Sequence, residues 1–234
     1  MTVQSDAASR QLVEHLQRIF GSRLLSVVAY GQTLEQSSAS PLTSFVLVAG
    51  LSQDDLDACS RLAVQWARAG IQTPLILPEA EFRRSLDTFP LEYADILASH
   101  VRLFGRDPFD EVSIQAGDLR LACERQAKSH LLHLREGYIE AAADPLAVAR
   151  LVAASSSAFA ALLRSIARLH GASGQSRNEV AVAGARASGL DETLVRDVLS
   201  LDQASSPTAD GARLFPAYLA SVEQLAHAVD TWSK

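Results

Sequence analysis

The chain of 234 residues holds only two cysteines, one methionine and two tryptophans, and aromatic residues make up just 6% of it. Cys59 and Cys123 have no metal-type spacing and too few fellow cysteines for a disulfide framework. They fit two buried, reduced thiols on helices of a cytoplasmic protein. No run of consecutive apolar residues approaches the roughly 18 residues of a membrane span. The opening stretch MTVQSDAASRQ lacks the apolar segment of a secretory signal, so no membrane association is expected. Basic residues are in deficit, 21 Lys and Arg against 27 Asp and Glu, for a net charge of −6. That balance argues against general nucleic-acid binding, which needs cations to neutralise phosphates. Internal repeats and low-complexity tracts are missing as well.

What is present is ordinary core material: 48% hydrophobic and 21% charged residues, with alanine and leucine abundant after residue 115. Leu12, Leu16, Ile19 and Phe20 recur at helical spacing over Ser5–Phe20. Leu24–Tyr30 and Thr43–Ala49 are short apolar runs rich in β-branched residues, as in strands buried on both faces. Between them lies a polar loop that starts at Gly31 and contains Ser37, Ser38 and Ser40. Ser52-Gln-Asp-Asp55 has the cap and first-turn acids of a helix whose buried stripe is Leu56, Cys59, Leu62, Ala63, Trp66 and Ala67. A third strand is expected at Ile71–Leu77, with Pro74 marking an edge or a break in pairing. A helical turn is expected from Pro78 to about Leu86, then two short strands at Leu91–Ile96 and Val101–Phe104. Beyond residue 112 the pattern is helical: Leu119–Ala143, Asp144 to about His170, Asn178–Ala187, Asp191–Leu201 and Asp210–Trp232. The expectation is an α+β protein with a mixed β-sheet domain at 1–112 and an all-α bundle at 113–234.

This order, with a glycine turn after the first strand, resembles the nucleotidyltransferase superfamily of the DNA polymerase β type. It is similar above all to the bacterial minimal and kanamycin-type members, which also carry a helical bundle after the catalytic half. In that family a Gly-Ser pair after the first strand holds a nucleoside triphosphate; here the pair reads Gly31-Gln32. Two Asp at i and i+2 on the second strand converge on one face and hold two metal ions. The resemblance puts Ser44 and Val46 at those positions, and neither is a carboxylate. No Asp or Glu lies between Gln36 and Gln53. The third family carboxylate belongs on a later strand, which points to Glu92 or Asp95. Three apart, these two would face opposite sides of a strand.

Outside that motif, His130 and His133 stand at i and i+3 on a helix, a spacing that metal sites use, with Glu136 or Glu140 as a third ligand. The alternative is a solvated polar face. Arg120, Arg125, Lys128 and Arg135 form either an anion-binding stripe or surface charge paired along the helix. No G-x-S-x-G elbow accompanies Ser37, Ser38 or Ser44, which speaks against a serine hydrolase. The run Ala153–Ala158 suits close helix packing, within the chain or against a second copy.

The resemblance implies a degenerate, catalytically inactive nucleotidyltransferase-like protein that acts by binding a nucleotide or a protein partner, as a homodimer through the helical half. On that reading it has no cofactor; Gly31, Gln32, Ser44, Glu92 and Asp95 are the nucleotide-binding candidates. Two alternatives stand beside it. One is an active transferase that uses Mg²⁺ and a nucleoside triphosphate with unusual acids such as Glu35, Glu92 and Asp95. The other is a helical interaction module on an α/β scaffold.

Overall fold

The computed structural model describes residues 3–31, 41–172, 176–201 and 208–232. It divides into two compact units, Met1–Ile114 and Gln115–Lys234. The first unit is built on a four-stranded mixed sheet of β1 (Leu24–Tyr30), β2 (Thr43–Val48), β3 (Leu75–Pro78) and β4 (His100–Gly105). The strand order is β3-β2-β1-β4, so β1 and β2 are central. β1 is antiparallel to β2 and to β4, and β2 is parallel to β3. β3 is shorter than expected and begins after Pro74; Ile71 makes only an isolated bridge to Leu42. Its edge position accommodates Pro78, which has no amide to give a neighbour.

Helices cover both faces. On one, α1 (Val3–Phe20) and α2 (Gln53–Arg68) bring Leu12, Leu16, Phe20, Cys59 and Trp66 against Val27, Ala29, Val46 and Val48. The helix cap expected at Ser52 is formed, and it is a reciprocal capping box: the Asp55 amide donates to Ser52 Oγ, and the Ser52 amide donates to Asp55 Oδ2. Asp55 also accepts two 2.7 Å bonds from the fork of Arg23, in the short 3₁₀ turn just before β1. The Arg23 guanidinium, against the opposing effect of burial and with help from Ser52, holds the Asp55 carboxyl well below the usual range. One ion pair thereby ties the entry of β1 to the start of α2.

The other face is covered by α3 (Glu79–Arg84) and α4 (Pro90–Ala98). α4 overturns the expected strand at Leu91–Ile96. Its buried residues, Pro90, Tyr93, Ala94 and Ile96, form a helical stripe rather than an alternation, and Pro90 sits at the first helical position with Glu92 in the first turn. Phe45 of β2, Phe82 of α3, Tyr93 of α4 and Phe109 form one aromatic cluster. Ring centroids there are 5.2 Å apart for Phe45–Phe82, 5.7 Å for Phe45–Phe109 and 5.1 Å for Phe82–Tyr93.

The second unit is all-helical among the described residues: α5 (Ala116–Glu140), α6 (Pro145–Leu169), α7 (Arg177–Ala187), α8 (Glu192–Leu201) and α9 (Phe215–Thr231), the last preceded by a 3₁₀ stretch at Ala209–Leu214. α6 is the central helix and packs on α5, α7 and α8. By length and composition it is also apolar enough to cross a membrane, with a mean hydropathy of 1.8 over 18 residues, 44% of which are buried. Its apolar residues are not consecutive, so no unbroken apolar run of membrane length is present, as expected. Arg150, Arg164 and the serines around Ser156 interrupt the apolar run, but alanine, valine and leucine dominate its average. Arg164 and Ser165 are themselves buried inside the unit.

α6 and α7 meet closely at Gly184, where a Cβ would lie 1.9 Å from the Leu163 carbonyl oxygen. The turn between α5 and α6 puts two alanines in the left-handed region, Ala142 at φ 48° and Ala143 at φ 62°. Two substitutions to small residues should therefore act in opposite directions. Gly184→Ala forces α6 and α7 apart and should cost about 2 kcal/mol or more. Ala143→Gly relieves the strain and should stabilise by about 1 kcal/mol. Urea denaturation of the two variants beside the wild type measures both.

Candidate functional site

The positions singled out by sequence lie where β1 ends and β2 begins. Gly31 follows β1 with φ 77°, and a Cβ built on it would meet nothing within 4 Å. That φ is the left-handed conformation a glycine accepts most readily. Gln32 and Glu35 lie outside the described residues, as do Ser37, Ser38 and Ser40. Tyr30 is paired with Thr43 on one side and His100 on the other. Thr43 donates its hydroxyl to Gln72 Oε1 at 3.0 Å.

Ser44 lies opposite Ala29, and Val46 opposite Val27. Alternation along the strand turns both toward the α1–α2 layer, where Ser44 is 1% and Val46 0% exposed. The Ser44 hydroxyl is buried and makes no hydrogen bond among the described residues. The alternate positions, Phe45 and Leu47, face the aromatic cluster on the other side. Both faces of β2 are therefore occupied by hydrocarbon.

Glu92 and Asp95 are on α4, not on a strand. At i and i+3 they share a side of the helix, where the strand reading set them on opposite faces. Glu92 is exposed and Asp95 half-buried. The strand that does follow beside β1 is β4, and its sequence HVRLFG contains no carboxylate. What sequence reasoning missed at this end of the sheet is a histidine–aspartate pair. His100 at the start of β4 has Nε2 2.9 Å from Asp107 Oδ2 and Nδ1 3.1 Å from the Ile96 carbonyl. The ring lies between two acceptors and packs on Phe109 at 5.1 Å. Burial works to raise the Asp107 carboxyl, but the Phe109 amide and His100 outweigh it and the group sits below its usual range. The only sequence signal was the turn Gly105-Arg-Asp-Pro108, which returns Asp107 toward the strand it follows.

In the helical unit the two histidines part ways. His130 is buried, its Nε2 2.7 Å from the Tyr218 hydroxyl and its ring stacked on Phe159. His133 is exposed and lies 3.3 Å from Glu136. No group of three metal-ligating side chains occurs among the described residues, so His130, His133, Glu136 and Glu140 do not assemble the ligand set that the spacing suggested. Three of the four basic positions, Arg120, Lys128 and Arg135, are engaged in ion pairs. Arg120 and Lys128 reach Glu124, Lys128 also reaches Asp230 at 2.6 Å, and Arg135 reaches Glu223 at 2.7 Å. That is the paired-charge alternative rather than an open anion site. Cys59 and Cys123 are free and buried, and burial pushes the Cys123 thiol up to about 12.

The fold is similar to the solved structure of the spectinomycin adenyltransferase AAD(9) from Enterococcus faecialis, determined with ATP and spectinomycin. The TM-score is 0.63 at 11% identity, over 96% of this chain and 99% of that one. No family model and no curated protein sequence matches the chain. The chain has a nucleotidyltransferase-like fold, in which a mixed sheet with flanking helices is joined to a helical bundle.

The buried His130 gives a pH test. Burial, with a smaller effect of His133, lowers its pKa from 6.5 to about 4. The unfolded chain therefore binds this proton more readily than the folded one. The stability it protects is complete above pH 6.5 and is lost as pH falls toward 4, amounting to about 3 kcal/mol. Chemical denaturation at pH 7.5 and 4.5 should show a smaller drop for His130→Leu than for the wild type.

Proposed function

We propose that the chain is a nucleotidyltransferase-like protein that acts by binding and does not transfer nucleotides. The observation that supports this most is the state of β2. The two positions that the family resemblance assigns to metal-binding aspartates, Ser44 and Val46, are buried against α1 and α2, and the alternate positions are buried under an aromatic cluster. Two-metal phosphoryl transfer needs several carboxylate oxygens converging beside the triphosphate, because Mg²⁺ takes hard oxygen ligands in a near-octahedral shell. β1, β2 and β4 offer none. On this reading a phosphate is held by backbone groups at the Gly31 position, which takes no side chain. A nucleotide held there, or a protein partner, is the ligand class of this reading; Ser44, Glu92 and Asp95 supply no shared metal cage.

The neighbour's own ligands, ATP and spectinomycin, are natural probes. Purified chain mixed with both and Mg²⁺ should give no adenylated product. A thermal-shift series with ATP, GTP, CTP and UTP should show no shift that depends on Mg²⁺. Full occupancy at 100 times Kd would add about 2.7 kcal/mol and be plainly visible. Transfer, or a Mg²⁺-dependent shift, would overturn the reading. A shift with nucleotide alone selects the nucleotide as ligand.

Rebuilding the motif supplies a second test. The double variant Ser44→Asp/Val46→Asp places two carboxylates in a hydrocarbon layer. It should lose more than about 3 kcal/mol of stability and gain no transfer activity. Urea titration and the adenylation assay read the two effects separately.

A further inference from the structure

Leu121, Leu132 and Ile139 stand on one ridge of α5 and are 47%, 56% and 77% exposed. The ridge lies opposite the buried stripe of Cys123, Ala127, His130 and Leu134, which packs this helix into the second unit. At 3.6 residues per turn, five charged side chains flank it, and they divide by side. Lys128 and Arg135 lie toward α9, where they hold Asp230 and Glu223. Arg125, Glu136 and Glu140 lie on the other side. Glu136 stands 3.3 Å from the exposed His133. Arg125 and Glu140 are exposed and hold no ion pair among the described residues.

We infer that this ridge is a two-fold interface at which α5 packs antiparallel against α5 of a second copy of this chain, with Leu132 on the axis. The placement of the two unengaged charges selects a second copy over an unrelated helix. Arg125 precedes Leu132 by seven residues and Glu140 follows it by eight. Those separations are about 10 and 12 Å along a helix. An axis through Leu132 therefore brings Arg125 of each copy level with Glu140 of the other. A two-fold perpendicular to both helices also keeps each side of the ridge on its own side. Arg125 then meets Glu136 and Glu140 of the other copy rather than Lys128 or Arg135. A free cation and a free anion at equal distances from the centre give the self-complementarity that an isologous contact requires.

The apolar residues fall into the same register. Leu132 meets Leu132 on the axis, where two helices pack about 8–10 Å apart. Ile139 lies opposite Arg125 of the other copy, whose aliphatic stem covers it while the guanidinium turns to the acids. Leu121 reaches the turn after α5 of the other copy, where Ala142 and Ala143 are exposed. Every charge in the seam has a partner: Lys128 and Arg135 keep the acids of α9, and Arg125 serves Glu136 and Glu140. This interface lies in the second unit and is independent of whether the protein binds a nucleotide.

Sedimentation of the full chain tests it. The wild type should be dimeric at micromolar concentration. Leu132→Glu puts two carboxylates together on the axis and should give a monomer with the circular dichroism of the wild type. Arg125→Glu and Glu140→Arg each set like charges together twice, and each should raise the dimer dissociation constant about tenfold or more. An equimolar mixture of these two variants should recover most of the wild-type affinity, because both pairs across the axis of the mixed dimer again carry opposite charges. A role of either residue within its own chain would not be rescued by mixing. A monomeric wild type, a dimer indifferent to these substitutions, or a mixture that associates no more tightly than its components would overturn the inference.

Discussion

The constraint on which the first unit depends is that its two central strands are buried on both faces. β1 and β2 take α1 and α2 on one side and the cluster of Phe45, Phe82, Tyr93 and Phe109 on the other. A strand in that position admits almost any apolar residue and almost no unpaired charge, since each buried carboxylate would need counter-charges or bonds that hydrocarbon cannot supply. Every residue of β2 after Ser44 obeys this rule. The resemblance assigns the family's metal ligands to Ser44 and Val46, so on the proposed reading the packing of β2 and the loss of that chemistry have one cause. The Arg23–Asp55 pair shows the other side of the rule. A nearly buried carboxylate is present in this unit, and it is held by a two-pronged guanidinium and a helix cap at the sheet's end, outside the hydrocarbon layer.

The helical unit meets its polar groups in a similar way. His130, Tyr218 and Ser155 form a chain of hydrogen bonds, with Ser155 Oγ 3.1 Å from the Tyr218 hydroxyl, and burial pushes the Tyr218 pKa up. Arg120, Lys128 and Arg135 on α5 are matched by acids on α5 and α9. Exposed pairs of this kind contribute little each, so the packing of α6 against its neighbours carries the unit. Gly184 shows how tight that packing is, because the backbone of α6 lies where its side chain would be.

Much of this was legible in the sequence, and the reasons are physical. β1, β2, α1 and α2 were readable because burial on both faces gives unbroken apolar runs and burial on one gives a 3.6-residue stripe. The glycine turn at Gly31 was readable because a positive φ selects for glycine. α4 was not. Leu91, Tyr93, Ala94 and Ile96 satisfy a strand and a helix almost equally over so few residues, and the deciding feature, Pro90 at the helix start, acts through one position. That single misreading put Glu92 and Asp95 on a strand where the chain forms a helix; the strand at Val101–Phe104 was expected, but His100–Asp107 forms between its first residue and the turn after it, a pairing with no spacing signal.

Fold and site separate here because they answer to different requirements. The sheet needs a sequence of volumes and polarities, which many residues meet; a metal site needs oxygen atoms at fixed places. Two aspartates on adjacent same-face positions of a strand repel one another and remain tolerable only while a metal ion or solvent reaches them. Once that access is closed, Ser and Val at those positions remove a cost and let the two layers meet. Within the proposed reading, Ser44 and Val46 are the residues that a sealed sheet requires. The fold can then keep its order of elements at 11% identity to a protein solved with ATP. What such a chain can still offer a ligand is main chain at the edges of its sheet, which any sequence with this fold retains.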